Sequence, residues 1–172
     1  GVFVMGDIPS RYDADAIRKD LKSSWSGQPP RIAATEAFWI DLHEVTRSAY
    51  GKCVEAGTCT PAKCDDAQDD VGERYSDEVL ALVPQTCVSR EQARAFCKAS
   101  GGRLPTETEW EYAARGADGR RYPWGNEIRD EYRGTLSPVN GMVDTSYFGL
   151  RGMGSNALEW VSNDFELDTG LA

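Results

Sequence analysis

The sequence predicts an α+β domain with few helices, short strands and long structured loops. Residues 89–101 and 106–115 have the i, i+3, i+4 spacing of apolar side chains that is typical of amphipathic helices. Residues 1–6 and 35–45 alternate in the manner of half-buried strands. From residue 116 onward the chain is rich in glycine and aromatic residues and has little helical period. Together these features favour a compact domain held by loops as well as by regular elements.

The size and charge of the chain limit the classes of protein to which it can belong. Its 172 residues fit one domain, and an apolar content of 40% with five tryptophans is sufficient for a hydrophobic core. The net charge of −9 argues against a nucleic-acid partner, which would need a basic face. No apolar run approaches the roughly 20 residues of a membrane span. We therefore expect one domain over residues 1–172, without nucleic acid and without a membrane span.

The N-terminal half begins with a predicted strand. In "GVFVMG" the side chains alternate, so that Val2 and Val4 share one face while Phe3 and Met5 share the other. The polar residues 7–30 are expected to form a loop with at most a short helix over about 13–22.

A second strand is predicted over residues 35–45, "TEAFWIDLHEV", with Phe38, Ile40 and Leu42 on the inner face. Thr46 then caps a helix that ends at Gly57. The acidic insertion 60–80 is expected to be a solvated loop, because its acids lack the spacing of a calcium-binding helix–loop–helix motif.

Two capping boxes mark the starts of the remaining helices. Ser89 and Gln92 form the first, and Thr106 and Glu109 form the second. In the second helix, Trp110 shares a face with two alanines at i+3 and i+4, which predicts that this face packs in the core and that Trp110 is largely buried.

An arginine lies on each side of the second helix. Arg103 precedes it, where a buried guanidinium would need a carboxylate, and Glu109 and Glu111 are the candidates. Arg115 falls in the last turn, where a cation interacts favourably with the helix dipole.

Five cysteines favour an exported protein, extracellular or periplasmic, over one with buried thiols. With one histidine in the chain, a zinc site is the poorer interpretation. Cys53 and Cys59 flank five residues, and Cys87 and Cys97 bracket a short predicted helix. We predict these two pairs as disulfides, with Cys64 free in the acidic loop.

The order of the motifs resembles one known family. "FWIDLHEVT", "GGRLPTETEWEYAARG", "YPWGNE" and "NALEWVSND" follow one another as in the sulfatase-modifying factors, the family of the formylglycine-generating enzymes. The resemblance covers residues 1 to about 165 and implies a C-type-lectin-like fold. It also implies that the helix after "RLPT" is a scaffold. The residues of this structural motif are Arg103, Thr106, Glu109, Trp110, Arg115 and Trp124.

The family implies an activity that this chain does not carry by itself. Active members bind copper(I) through two cysteines in the C-terminal third and oxidise a cysteine in a C-x-P-x-R sequence to formylglycine. None of the five cysteines here corresponds to that pair, and soft copper(I) requires thiolates. In the active relatives the cysteine that corresponds to Cys97 bonds to a partner in that C-terminal part.

Two functions follow from this comparison. The first is a non-catalytic scaffold that binds a protein, peptide or glycan; the second is the N-terminal two-thirds of an active oxidase, with copper supplied only together with the C-terminal segment. A calcium-dependent carbohydrate binder is a weaker alternative, because it depends on fold analogy alone.

The resemblance also implies a calcium site. Its positions in this chain are Gly152, Ser155, Ala157 and Glu159. Ser155 and Ala157 would offer backbone carbonyls and Glu159 a carboxylate, whereas Gly152 has no side-chain ligand. The alternative is that Glu159 caps local backbone amides.

The family's fold further implies a partner for the first strand. In that fold the N-terminal strand pairs with strands of the C-terminal third. In this chain the strand at 2–5 is therefore expected to lose cover and to present an edge for self-association or for a second chain.

Overall fold

The structure is a computed structural model, and it describes residues 1–6, 30–64, 74–127, 129, 136–141 and 144–162. Within these ranges lie four α-helices, two strands and a short 3₁₀ helix over Val139–Gly141. This mixture is the predicted α+β class. The loop and short helix expected over 7–30 lie outside the described residues, apart from Pro30.

The two strands form a small antiparallel sheet. β1 (Val2–Met5) pairs with β2 (Arg31–Ala34), so that Phe3 lies opposite Ala33 and Met5 opposite Arg31. Phe3 and Met5 are buried, while Val2 and Val4 are exposed, which is the predicted alternation. The expectation that β1 lacks cover is therefore wrong for its inner face. β2 was not predicted, because four residues beside a Pro-Pro pair carry little strand signal.

The predicted strand over 35–45 is wrong as a secondary-structure assignment. The backbone there has no regular secondary structure, bends at residues 42 and 43, and belongs to neither strand. Phe38 and Ile40 nevertheless pack against the core, whereas Leu42 is exposed. The alternation correctly indicated two inward side chains. It could not show whether a neighbouring strand pairs with the segment.

The first helix, α1 (Arg47–Glu55), begins where the sequence predicted. The Thr46 hydroxyl accepts a hydrogen bond from Ala49 N at 3.2 Å, and Gly57 follows the helix at φ 72°. In the acidic insertion a second helix, α2 (Asp77–Leu80), replaces the end of the expected loop. Its first turn contains Asp77 and Glu78, which interact favourably with the helix dipole.

Both capping boxes are present in the structure. They start α3 (Arg90–Ala99) and α4 (Glu107–Arg115), with the reciprocal side-chain and backbone hydrogen bonds of the motif.

The buried face of α4 is the centre of the core. Ala113 and Ala114 pack with Leu150 and Met153 there. Trp110 contacts this cluster from its edge and is only partly buried, less than predicted. The small side chains of Ala113 and Ala114 leave room for Leu150 and Met153 against this face.

After α4 the described residues form turns, two single bridges and the 3₁₀ helix. Tyr122 pairs with Gly125, and Thr145 pairs with Arg151. Tyr122 and Gly125 exchange both backbone hydrogen bonds, whereas Arg151 N donates to Leu42 O, so these amides are satisfied without a sheet. Among the described residues, no helix has the length and apolar character needed to cross a bilayer.

Candidate functional site

The start of α4 is held by a bidentate ion pair. Arg103 Nη1 and Nη2 donate to Glu109 Oε2 and Oε1, each at 2.7 Å, and Thr106 N donates to Glu109 Oε2 at 2.8 Å. The hydrogen bond from Arg103 is the main reason that the pKa of Glu109 falls to about 2. Arg103 itself is exposed rather than buried, since its side chain retains 63% of its accessible surface. Glu109 therefore holds both the cap and the loop that precedes it.

The end of α4 is tied to two other segments. Arg115 Nη1 donates to Gly6 O, and its Nε donates to Arg120 O, both at 2.7 Å. Arg115 also pairs with Glu111, which accepts from Gly6 N at 2.8 Å. Arg115, which was predicted to interact with the helix dipole, thus also connects the end of β1 with the loop after α4.

The two tryptophans of the structural motif both use their indole nitrogens. Trp110 Nε1 donates to Glu159 Oε2 at 2.9 Å, and Trp124 Nε1 donates to Glu127 O at 3.0 Å. Trp124 also stacks on Tyr122 with ring centroids 5.2 Å apart. These contacts are structural, and none of them forms a nucleophile–base pair.

A buried carboxylate shapes the loop that contains the predicted calcium positions. Asp144 is fully buried, and its Oδ1 accepts from Gly152 N at 2.7 Å while Oδ2 accepts from Gly154 N at 3.3 Å. A buried charge is tolerated here because backbone amides solvate it. Asp144 was not identified from the sequence.

A second acid reaches the same loop from residues just before α1. Glu44 Oε1 accepts from Ala157 N at 3.4 Å, and the side chain of Asn156 also hydrogen-bonds to Glu44. Its other oxygen, Oε2, is buried and has no hydrogen-bond partner, and the same is true of Ser155 Oγ. Two unsatisfied oxygens beside one loop are unusual, because buried polar atoms are normally hydrogen-bonded.

The acidic side chains in this region repel one another electrostatically. Desolvation raises the pKa of Glu159 to about 7, and the charges of Glu44 and Asp144 add to the effect. Glu159 retains exposed surface as a residue, so the desolvation comes from atoms packed around its carboxyl group. Burial likewise raises the pKa of Glu44, with a contribution from Asp144. The negative charges of Glu44 and Asp144 thus disfavour ionisation of Glu159.

The predicted calcium positions lie in this region. Ser155, Ala157 and Glu159 belong to the loop that Glu44 contacts, and Gly152 is held by Asp144. Within the described part of the chain, no three histidine, cysteine, aspartate or glutamate side chains converge as a metal-binding group. A cation here would therefore depend on backbone oxygens in addition to carboxylates, which is the usual donor set for calcium.

The cysteine pairing differs from the prediction. Cys53 is bonded to Cys59, but Cys87 is bonded to Cys64 rather than to Cys97, and Cys97 is the free thiol. Lys63 N donates to Cys87 O at 3.3 Å, so the two chain segments lie side by side.

The predicted Cys87–Cys97 pair is geometrically unfavourable. The rise of about 1.5 Å per residue along α3 carries Cys97 away from Cys87, beyond the Cα separation of about 7 Å that a disulfide spans. Cys97 instead lies within α3 and faces the groove described next.

A broad groove lies between the segment 37–45, α3 and the last described segment. Its volume is about 720 Å³, and Cys97 and Trp160 are among its lining residues. Trp39 and Leu158 also line it and are fully exposed, at 101% and 104% of their reference surface. An apolar exposed surface of this kind is typical of an interaction site.

Comparison with known proteins identifies the family of this chain. The family model described as "Sulfatase-modifying factor enzyme 1-like domain" matches residues 1–170. The chain belongs to this family. The resemblance inferred from the sequence motifs is thereby confirmed.

Individual relatives of the sulfatase-modifying factor family include active and inactive members by name. A formylglycine-generating enzyme of Mus musculus is 34% identical over 95% of this chain, and one of Bos taurus is 28% identical over 95%. The chain covers 56% of each of these relatives. An "Inactive C-alpha-formylglycine-generating enzyme 2" of Bos taurus is 36% identical over 48% of this chain and 34% of its own length.

Proposed function

We propose that this sulfatase-modifying factor domain is a non-catalytic scaffold and binding module. The observation that carries the proposal is the state of the five cysteines. Four are joined as Cys53–Cys59 and Cys64–Cys87, so that Cys97 is the one free thiol. A copper(I) site with two thiolates cannot be assembled from one free cysteine, and the residues of this chain therefore do not fit that metal.

The activity test uses the chain with copper(I), a thiol reductant and a peptide that contains C-x-P-x-R. We expect mass spectrometry of the products to show no more loss of the peptide thiol than in the control reaction with metal alone. A matched reaction with the Cys97→Ser variant shows whether any turnover depends on the Cys97 thiol. Turnover that disappears in this variant would assign catalysis to Cys97 and refute the proposal.

The second candidate is the N-terminal part of a copper-dependent oxidase. It is favoured by the alignment of 95% of this chain with relatives named formylglycine-generating enzyme, of which the chain covers about half. In that case other residues supply the cysteine pair, and the exposed groove is covered by them. A Gly-Gly-Ser stretch followed by two nearby cysteines in the remaining reading frame would favour this candidate, and oxidation of the same peptide by the longer protein would establish it.

The binding partner proposed for the groove is a peptide or protein segment; a glycan is the alternative. The apolar side chains that are exposed there suit a peptide with apolar residues. The probe is a fluorescent C-x-P-x-R peptide with serine in place of cysteine, followed by anisotropy. We expect weaker binding in Trp39→Ser than in the control Ile32→Ser, which is 81% exposed and lies outside the lining of the groove. Equal binding by the two variants would contradict this assignment.

The fold and compartment are proposed on the same basis. Family membership supports a C-type-lectin-like fold, and two disulfides support an oxidising compartment, extracellular or periplasmic. The outer edge of β1 is proposed as a contact for self-association or for a second chain. Light scattering after size exclusion tests the last point, because a monomer at all concentrations would contradict it.

Calcium is the proposed cofactor. The support is the donor set, with Glu159 and the backbone carbonyls of Ser155 and Ala157 as the ligands that the family resemblance assigns. Calcium supplies structural cross-linking of loops when bound, because it accepts six to eight oxygen ligands in flexible geometry. Copper is proposed only for the second candidate, together with residues other than those of this chain.

A further inference from the structure

Two neighbouring aromatic side chains are exposed on a tight turn outside the groove. Tyr147 and Phe148 are 54% and 44% exposed, and neither lines the groove. Their ring centroids are 4.9 Å apart, with the rings nearly perpendicular. A single exposed apolar side chain is ordinary, whereas a contiguous exposed apolar surface is typical of a binding site.

The turn that carries these rings is fixed by its own hydrogen bonds. Ser146 N donates to Leu150 O at 2.8 Å, and Gly149 N donates to Ser146 O at 3.0 Å. The buried Ser146 hydroxyl also accepts from the backbone N–H groups of Phe148 and Leu150, at 3.3 and 3.2 Å. A ligand of the two rings would therefore not have to order the backbone that presents them.

Packing also holds both rings at the surface. A Cβ at Gly116 would lie 2.6 Å from Cβ and Cγ of Tyr147, so Tyr147 lies directly against the backbone at the end of α4. Phe148 contacts Tyr112 with ring centroids 5.1 Å apart, and Tyr112 contacts the buried ring of Phe3 at the same centroid distance. The fold thus fixes where each ring meets the solvent.

A paired base and acid lie beside the ring of Tyr147. The guanidinium carbon of Arg120 is 5.1 Å from the ring centroid. Arg120 Nε and Nη2 donate to the two oxygens of Asp118, at 2.9 and 2.6 Å, and Nη1 donates to Pro123 O at 3.0 Å. These bonds use three of the five guanidinium N–H groups, and the side chain of Asp118 retains 45% of its accessible surface. The pair therefore offers further donors and acceptors next to an aromatic face.

The charges at this surface favour a neutral ligand. Arg120 already occupies the position over Tyr147 that a ligand cation would take, and its charge repels a second cation. Asp118 and the net charge of −9 disfavour an anion. A ligand that fits is therefore uncharged and carries both donors and acceptors of hydrogen bonds.

The exposed area limits the size of the ligand. A whole aromatic side chain buries about 150–250 Å², so the exposed parts of these two rings together provide roughly 200 Å². A stable protein partner would cover about 800 Å² on each side. The surface is therefore large enough for one or two rings of a small ligand and too small for a folded partner.

We propose that the two rings and the charged pair beside them form a binding site for a neutral hexopyranose unit of a glycan. The residues of this site are Tyr147, Phe148, Asp118 and Arg120. A hexopyranose has a flat face of C–H groups that stacks on an aromatic ring, and hydroxyl groups around its rim. Asp118 accepts a hydrogen bond from one hydroxyl, and Arg120 donates to its neighbour. The site goes beyond the proposed function, because it lies outside the groove and uses no metal ion.

The experiment measures the binding of three neutral probes, cellohexaose, mannohexaose and galactohexaose, by titration calorimetry in the presence of a chelator. We expect at least one probe to bind with a dissociation constant of roughly 1 mM, as suits a ligand of one or two stacked rings. Tyr147→Ala should weaken this binding about tenfold through the loss of one stacked ring.

Matched variants separate ring stacking from general effects on the fold. Ile32→Ala removes another exposed apolar side chain, 81% exposed and outside both binding surfaces, and should bind the probe like the original chain. Tyr147→Phe keeps the ring and should retain most of the affinity. Should Tyr147→Ala fail to fold, Tyr147→Leu replaces it, because leucine keeps an apolar contact with Gly116 but has no aromatic face.

Each outcome decides the proposal. Binding that is lost in Tyr147→Ala or Tyr147→Leu and kept in Ile32→Ala supports it. Dissociation constants above about 10 mM for all three probes would overturn it, and so would binding that is equal in the original chain and the Tyr147 variants. Binding of a proline-rich peptide to these rings without binding of any oligosaccharide would assign the surface to a peptide instead. The peptide proposed for the groove is tested separately through Trp39→Ser, so either proposal can fail alone.

Discussion

Trp110 Nε1 donates a hydrogen bond to Glu159 Oε2 at 2.9 Å, and this bond joins α4 to a segment 49 residues further along the chain. The indole ring meanwhile packs against the cluster of Ala113, Ala114, Leu150 and Met153. One side chain thus fixes the position of a carboxylate relative to the core. The scaffold helix and the proposed calcium site are coupled through it.

Replacement of Trp110 by alanine should destabilise the domain by about 3 kcal/mol, the lower end of the range for a large aromatic side chain, because the ring is only partly buried. Trp110→Phe retains the ring contacts but loses the bond to Glu159, and should cost about 1 kcal/mol. Urea unfolding of the two variants measures both values. A loss below about 1 kcal/mol for the alanine variant would contradict the scaffold role of this helix.

Acid should weaken the domain through Glu109. Its pKa is lowered to about 2 in the folded chain, whereas the pKa of an unfolded glutamate lies near its ordinary value of 4.5. A depressed pKa contributes stability that is present above pH 4.5 and is lost as the pH falls toward 2. We expect this pair to contribute about 1–3 kcal/mol at neutral pH, a range reduced because Arg103 is exposed to solvent.

Glu109→Gln tests this contribution. The variant should be less stable at pH 7, and the difference from the original chain should shrink steadily in the acid range. Glu55→Gln is a suitable control, because Glu55 is an exposed acid at the end of α1. A constant difference between Glu109→Gln and the original chain at every pH would rule out an ionised carboxylate as the source of the stability.

One thiol per chain should react with a maleimide after unfolding without a reductant, and peptide mapping should locate it at Cys97. Cys97→Ser should then leave none, whereas Cys64→Ser should leave two by releasing Cys87. In the folded chain, burial raises the pKa of the Cys97 thiol, with Asp41 adding to the effect, so labelling should be slow at neutral pH. A reactive Cys64 in the original chain would contradict the structure.

Loss of the Cys64–Cys87 bond should also lower stability. Its sequence separation of 23 residues corresponds to roughly 3 kcal/mol in the chain-entropy description. Thermal unfolding of Cys64→Ser measures the effect. Cys97→Ser provides the control with the same chemical change and no lost bond.

Two glycine-to-alanine changes should have opposite effects. Gly116 ends α4 at φ 70°, and a Cβ there would lie 2.6 Å from Tyr147 Cβ, so Gly116→Ala should destabilise by about 1–3 kcal/mol. Gly51 lies within α1 with open space around its Cβ position, so Gly51→Ala should stabilise by about 0.5–1 kcal/mol. Melting temperatures that move in the same direction for both variants would contradict this assignment.

The local elements of this protein could be predicted because their signals lie within a few residues. Thr46, Ser89 and Thr106 start the three longer helices where the sequence placed them, because a cap and its acceptor are neighbours along the chain. The segment 35–45 was assigned wrongly for the converse reason. A strand exists only where another strand supplies hydrogen bonds, and alternation of side chains cannot report that partner.

The sequence by itself determined the family, the α+β class and the capped helices, and it limited the partner of Arg103 to Glu109 or Glu111, of which the structure selects Glu109. Only the tertiary structure decided the Cys64–Cys87 bond, the burial of Asp144 and the approach of Glu44 to a loop 113 residues later in the chain. The physical reason is that each of these contacts joins segments far apart in the sequence, and no periodic pattern of residues links the two segments. They form where the packed core brings two loops together, and a single sequence contains no local pattern that shows which loops will meet.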